Sequence, residues 1–273
     1  MQASEAIERV KDAQKTLSNV VTKTPLVYSA FFSGEHGNEV YIKAENLQKT
    51  GAFKLRGAYN KCSKLTADEK VNGVITASAG NHAQGVAYAA KALGISATIV
   101  MPVNTPLIKV NATRDFGAEV VLHGETYDEA YAFARVLEQQ TKAIFVHPFD
   151  DLEVIAGQGT VGLEILETLE DVDCVVVPIG GGGLISGIAA YIKAVKPSCM
   201  VIGVEPEGAM SMRCALDRGS VTCLEAVHTV AEGVAVKQVG ALTFDLTQRY
   251  VDAVISVSDY DIMDAFLMLL EKH

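Results

Sequence analysis

The sequence predicts an α/β protein with mostly parallel sheets covered on both faces by helices. Three observations carry that prediction. Short runs rich in Val and Ile alternate with amphipathic stretches from residue 73 onward, the pattern of parallel strands joined by helical crossovers. Two glycine-bearing loops, 78–85 and 180–184, each lie between such a run and the next amphipathic stretch, where α/β sheets bind ligands beyond the carboxyl ends of their strands. The length of 273 residues exceeds one typical domain and suits two α/β lobes or one large one.

The elements follow in order. Ile7, Val10 and Leu17 share one stripe, so residues 1–17 read as an amphipathic helix. Early acidic residues and the lack of an apolar core segment make it neither a signal peptide nor a membrane anchor. Residues 23–26 are an extended connector, because the residue before Pro25 is pushed out of the α region. Residues 40–47 alternate as a strand leading into ENLQKTGAFKLRGA, 45–58, and a helix covers 54–65 with Lys54 near its start. Strands are then expected at 73–79, 97–102, 119–124 and 143–148, with helices at 81–93, 105–116, 126–142 and 151–169. A second series has strands at 174–180, 200–206 and 251–258 and helices at 184–195, 210–218 and 259–270. No repeat, low-complexity tract or long Pro/Gly linker divides the chain, so two lobes would be interleaved in sequence.

Charge and composition narrow the partners. Lys and Arg number 23 against 33 Asp and Glu, a formal charge of −10, which disfavours nucleic acid and anionic membrane and favours a small-molecule ligand. No apolar run is long enough to cross a bilayer. The five cysteines, at 62, 174, 199, 214 and 223, form no CxxC pair and are expected to be reduced core residues of a cytosolic protein.

Three stretches carry chemistry. Lys54 follows the small-residue turn Thr50-Gly51-Ala52 and sits between Phe53 and the apolar start of a helix. Desolvation by such neighbours lowers an amine's pKa toward nucleophilic use, which suits Schiff-base chemistry with a carbonyl. Ser78-Ala79-Gly80-Asn81-His82 joins a strand to a helix N-terminus; it can hold an anion, or simply cap the helix through Ser78 or Asn81. Gly180-Gly181-Gly182-Gly183-Leu184 follows an apolar strand and opens a helix, and successive free amides there form a phosphate nest. A nicotinamide-dinucleotide domain is the rival reading. Gly181, Gly183 and Ser186 give GxGxxS rather than GxGxxG, yet Glu205 ends the next strand, where a ribose ligand belongs. That rival leaves Lys54 and the asparagine loop unexplained. His36, His82, His123, His147, His228 and His273 lack the spacing of a metal site. No GxSxG elbow occurs, Ser186 falling inside a helix, and Glu164, Glu167 and Glu170 read as a solvated helix face.

In combination, GAFKLRGA, SAGNHAQG and GGGGLISG, in this order and at these spacings, strongly resemble the fold-type II pyridoxal phosphate enzymes. The likeness runs from Thr24 to the end of the chain and is specific to the threonine/serine dehydratases and the related serine racemases. It implies two three-layer α/β lobes with mostly parallel sheets, of the tryptophan synthase beta-like kind. Residues 1–48 with 147–273 would form a large cofactor-binding domain, and 49–146 a small mobile domain carrying the asparagine loop. It also implies pyridoxal 5'-phosphate joined to Lys54, with Phe53 beside its ring and Asn81 on its ring hydroxyl. Gly180, Gly181, Gly182, Gly183 and Leu184 would bind the phosphate through backbone amides, and Gly233, in AEGVAV, would line the ring. The loop of Ser78, Ala79, Gly80, Asn81 and His82 would cradle the carboxylate of an amino-acid substrate.

The implied reaction is dehydration. Lys54 removes the α-proton of a β-hydroxy amino acid, the hydroxyl leaves, and an enamine hydrolyses to a 2-oxo acid and ammonia. The racemases place a serine in the asparagine loop to return a proton to the other face; Ala79 stands there in this chain, so elimination is expected over racemisation. One methyl gives only modest discrimination, and L-threonine is preferred to L-serine because SAGNHAQG with GGGGLISG most resembles the biodegradative threonine dehydratases. No metal is expected: of the racemases' cation ligands Glu205 and the Ala209 carbonyl match, but Ser211 replaces a carboxylate. The resemblance further implies a cytoplasmic homo-oligomer, dimer or tetramer. The family runs on past the position of His273 through a serine or cysteine that partners the pyridine nitrogen, so the sequence is expected either to be part of a longer enzyme or to be a poor catalyst, with an exposed edge. Beside the dehydratase stand a racemase or another β-eliminating or β-replacing enzyme and, in a different class, a non-catalytic ligand-binding α/β protein.

Overall fold

A computed structural model describes residues 1–272, the side chain of His36 excepted. The His36 ring and His273, both weighed above as metal ligands, therefore lie outside the described residues. The chain opens with α1 (Ala3–Leu17), whose stripe of Ala6, Val10, Ala13 and Leu17 is buried. Next, β1 (Leu26–Tyr28) pairs antiparallel with β2 (Tyr41–Lys43) around α2 (Ala30–His36). Part of the expected connector is thus a strand, and the expected strand 40–47 shortens before a 3-10 turn at Glu45–Leu47. α3 (Lys54–Ser63) is followed by α4 (Ala67–Asn72), started by a capping box of Thr66 and Glu69. Then β3 (Val74–Ala77), α5 (Asn81–Leu93), β4 (Ala97–Met101), α6 (Leu107–Asp115), β5 (Glu119–Leu122), α7 (Tyr127–Thr141), β6 (Ile144–Phe145) and α8 (Leu152–Thr168) keep the expected alternation. The remainder is β7 (Cys174–Pro178), α9 (Gly183–Val195), β8 (Met200–Pro206), α10 (Ser211–Arg218), α11 (Ala241–Tyr250), β9 (Ala253–Val257) and α12 (Asp259–Lys272). α2 and α4 are too short to show a helical period, and α11 hides its period because two of its three buried residues are Thr243 and Thr247.

The chain folds as two compact units. One comprises Lys11–Thr22 and Asn46–Gln158, the other Met1–Val10, Lys23–Glu45 and Gly159–His273. In the first, four parallel strands run in the order β5-β4-β3-β6. Alternate side chains serve opposite faces: Ile99 and Met101 join Ala58, Val86 and Ala90 in one core, while Ile75 and Val100 join Ala130 and Ala134 in another. Glycines set the helix spacing here. A Cβ at Gly85 would lie 3.2 Å from the Lys54 carbonyl, and one at Gly157 would lie 2.6 Å from the Arg56 carbonyl oxygen. α5 and α8 therefore lie against the backbone of α3, and the Gly57 amide bonds Gln158 Oε1 at 3.2 Å.

In the second unit β7, β8 and β9 form a parallel sheet. Val175, Val177 and Val201 pack on Ile185, Ile188 and Ile192 of α9. Cys174, Val176, Met200 and Ile255 on the sheet are exposed, as are Phe266, Leu267 and Leu270 of α12. This overturns the reading of the cysteines as core residues. Only Cys62 and Cys199 are buried, Cys174 and Cys223 are exposed, and Cys214 is half-buried, all as free thiols; the pleat of β7 turns Cys174 away from the core that Val175 enters. The solvated face expected of Glu164 is also corrected. Glu164 and Lys43 have side chains 8% and 9% exposed and meet at 2.6 Å, because β2 carries Lys43 to α8, where its amine also reaches the Thr24 carbonyl at 2.6 Å. Glu167 fits the solvated reading and pairs with Lys23 at 2.8 Å. No helix of the described residues is long and apolar enough to cross a membrane.

Removing one member of a buried ion pair strands the other charge. Glu164→Leu is accordingly expected to cost about 3–5 kcal/mol in urea unfolding, with most of it recovered in the Lys43→Met/Glu164→Leu double variant. A single-variant cost indistinguishable from that of a surface substitution would show that the pair is solvated in solution.

Candidate active site

Lys54 is the first residue of α3, behind Phe53, which caps the helix without a side-chain bond, and behind Gly51 at φ +70°. Its Nζ donates to the Pro148 carbonyl at 2.8 Å and lies 5.4 Å from the centre of the Phe53 ring. Burial lowers its pKa from 10.5 to about 8, so an appreciable fraction is neutral amine near neutral pH.

The asparagine loop leaves the carboxyl end of β3. Ser78 Oγ accepts from the Gly80 amide at 3.3 Å, and Gly80 is the N-cap of α5 with no side-chain cap bond. Neither Ser78 nor Asn81 therefore caps the helix, as the simpler reading required. Asn81 is exposed at the head of α5, and the first-turn amides there have no acceptor within the helix. His82 is buried, with Nε2 2.9 Å from the Val146 carbonyl. A carbonyl can only accept, which places the ring proton on Nε2; Nδ1 has no partner among the described residues. Burial, and then the charge of Lys54, hold the His82 pKa down to about 3, so the ring is neutral and what it can offer an anion is its backbone amide.

The sequence reading passed over the turn after β6. Thr76 Oγ1 donates to the same Val146 carbonyl at 2.9 Å, and His147 Nδ1 accepts from the amides of Phe149 and Asp150 at 3.3 and 2.8 Å. Burial lowers the His147 pKa to about 4, opposed by Asp150 and reinforced by Lys54. One signal was available: HPFDD also follows an apolar strand, at the carboxyl end where ligands bind.

The glycine run lies in the other unit. Gly182, at φ +91°, is the N-cap of α9, and a Cβ on it would lie 2.8 Å from Met212 and 2.9 Å from Thr243. Thr243 Oγ1 donates to the Gly181 carbonyl at 2.7 Å. The 3-10 turn Glu232–Val234, which contains Gly233, packs on this loop, since a Cβ at Gly180 would come 3.0 Å from Val234 Cα. Among the described residues, no acceptor pairs with the backbone amides of 180–184. Unpaired amides at a helix start fit a phosphate dianion, and a buried amine of lowered pKa fits an aldehyde; part by part, the residues suit pyridoxal phosphate. Glu205, the ribose ligand of the rival reading, is fully buried and accepts from the Met212 and Arg213 amides at 2.8 Å each. Both its oxygens cap α10, while burial pushes its pKa up to about 7 against those two bonds. The described residues contain no cluster of His, Cys, Asp and Glu able to hold a metal ion.

The buried amine should be visible in stability. A folded-state pKa below the unfolded value means that Lys54 costs stability wherever the amine is charged in both states, below about pH 8, and that the cost fades as pH rises toward 10.5. Lys54→Met is expected to stabilise the cofactor-free chain at pH 7 by up to about 3 kcal/mol, and by less at alkaline pH. Equal gains at both pH values in denaturant titrations would sink the assignment.

Residues 17–273 match the family described as pyridoxal-phosphate dependent enzyme. An L-threonine ammonia-lyase of Thermotoga maritima is 54% identical over 266 residues, covering 97% of this chain and 66% of that protein. The chain thus spans about two-thirds of that relative's length. Among solved structures, the processed form of threonine deaminase isoform 2 from Solanum lycopersicum superposes with a TM-score of 0.96 at 43% identity, over 100% of this chain and 75% of that one. Maize serine racemase gives a TM-score of 0.94 at 37% identity, over 97% of this chain and 80% of that one. With that family match over most of its length and these relatives, the chain belongs to the pyridoxal-phosphate dependent enzyme family, in its fold-type II branch of threonine dehydratases and serine racemases.

Proposed function

We propose that the chain deaminates L-threonine, and L-serine less well, to 2-oxobutanoate or pyruvate and ammonia. The observation that carries the reading is the Lys54 amine, desolvated at the head of α3 with its pKa near 8, in a chain whose relatives include an L-threonine ammonia-lyase. Pyridoxal phosphate, when bound, supplies an electron sink that makes the substrate α-carbon acidic. Lys54 would anchor it and, as free amine, would take the α-proton. The amides of Gly180, Gly181, Gly182, Gly183 and Leu184 hold the phosphate, with the N-terminal end of the α9 dipole adding to their field. Phe53 and Gly233 would meet its ring, and Asn81 its hydroxyl. Ser78, Gly80 and the first amides of α5 hold the substrate carboxylate by hydrogen bonds rather than by a charged side chain, which agrees with the neutrality of His82. We infer that the unit carrying the asparagine loop is the mobile one, and that the protein acts in the cytoplasm as a homo-oligomer, dimer or tetramer.

Racemisation is the second reading, favoured by the likeness to maize serine racemase. Ala79 decides against it, because its methyl group has no proton to return to the second face of the α-carbon.

The test is a substrate panel. Chain loaded with pyridoxal phosphate is expected to release 2-oxobutanoate from L-threonine faster than pyruvate from L-serine, with little D-serine. Lys54→Ala should lose the absorbance of covalently bound cofactor and reduce turnover at least about 10³-fold. Ala79→Ser should raise D-serine formation relative to pyruvate. Dominant D-serine production by the parent chain would overturn the assignment to dehydration.

A further inference from the structure

The β3–β6 ladder pairs Val74 with Ile144 and Ile75 with Phe145, and the Val146 amide adds a last bond to the Ile75 carbonyl at 2.9 Å. Beyond that point side chains take over. The Val146 carbonyl receives Thr76 Oγ1 from the end of β3 and His82 Nε2 from α5, each at 2.9 Å. His147 Nδ1 collects the Phe149 and Asp150 amides at 3.3 and 2.8 Å, closing a turn around the buried Pro148. Asp151 Oδ1 then accepts from the Glu153 and Val154 amides at 2.8 and 3.1 Å, starting α8. The turn is fixed at both ends, and the carbonyl at its centre accepts Lys54 Nζ at 2.8 Å.

Resting on the reading of Lys54 as the cofactor anchor, we propose that Thr76, His82 and His147 are positioning residues. They pin the 146–150 turn so that the Pro148 carbonyl holds the Lys54 amine in one place and orientation whenever that amine is not joined to the cofactor. The bond has a second effect. A carbonyl oxygen favours the charged amine and partly offsets its desolvation, so the pinned turn also sets how readily Lys54 takes up and gives back a proton. Charge on the pinning groups is not the device. The charge of Lys54 acts on His82 of α5 and on His147 of the turn, both held neutral by burial, while its own pKa is lowered by burial alone. Asp150 and Asp151 act on His147, and Asp151 is paired with Lys61 at 2.7 Å.

The test compares two uncharged replacements. His147→Leu removes the acceptor that closes the turn, whereas His147→Asn keeps one, since asparagine side chains bond backbone amides two residues on. The readout is the apparent pKa of Lys54 in the cofactor-free full chain, from the pH dependence of its acylation by trace acetic anhydride, resolved by peptide mass spectrometry. His147→Leu is expected to lower that pKa by about half a unit to one unit, the worth of one hydrogen bond. His147→Asn should leave it at the parent value. Should the leucine variant fail to fold, Thr76→Val removes one of the two donors to the Val146 carbonyl and should shift the pKa in the same direction. Equal shifts in both His147 variants, or no shift in the leucine or valine variant, would overturn the proposal. Borohydride reduction of the loaded chain shows independently whether Lys54 is the anchor. Trapping at another lysine would refute that reading and leave the acylation result to be judged on its own.

Discussion

Desolvation of one amine is the constraint to which the first unit is built. A lysine ammonium leaves water only at a cost, so everything around Lys54 must be fixed tightly enough that solvation by local rearrangement is dearer still. Glycine provides much of that. Gly85 brings α5 against the Lys54 backbone, and Gly157 brings α8 against Arg56, so the start of α3 is enclosed by main chain rather than by long side chains that could swing away. The remaining polarity comes from the Pro148 carbonyl, which accepts from the amine and favours its charged form.

The glycine nest obeys the same logic with the opposite sign. In the second unit the need is for donors without acceptors, and a helix start supplies them at no cost in folding because the first amides of any helix are left over. Thr243 and Met212 hold the loop shape by contact with Gly182, and Thr243 also bonds the Gly181 carbonyl. The Gly181 and Gly182 carbonyls are used, by Thr243 and by the Ser186 amide, while no acceptor pairs with the loop's amides among the described residues, which is the condition for selecting an anion.

How much of this could be read from the sequence follows from the range of each interaction. Alternating Val/Ile runs and amphipathic stretches report burial by a sheet, and they placed every strand of both parallel sheets. Lys54, Gly180, Gly181, Gly182 and Gly183 were legible because each stands beside local residues of unusual size or charge. α11 was not, since its buried Thr243 and Thr247 look polar to a periodicity argument. Glu164 was misread because its partner Lys43 is 121 positions away, and Cys174 because strand periodicity alone does not say whether the second face of a sheet is covered. The Pro148 carbonyl was beyond reach for a simpler reason: a backbone acceptor has no letter of its own.

His82 shows what a motif letter can conceal. Within SAGNHAQG a histidine suggests a cation for a carboxylate, and a charged imidazole there would compete with Lys54 for the same anion and raise the cost of charging the amine. The fold removes that conflict by burying the ring and fixing its proton on the Val146 carbonyl. On the proposed function, substrate recognition falls to backbone amides at the head of α5, whose strength does not change with pH, and proton transfer to Lys54, whose state does. Separating those two duties would let the amine cycle between charged and neutral forms without altering the grip on the substrate.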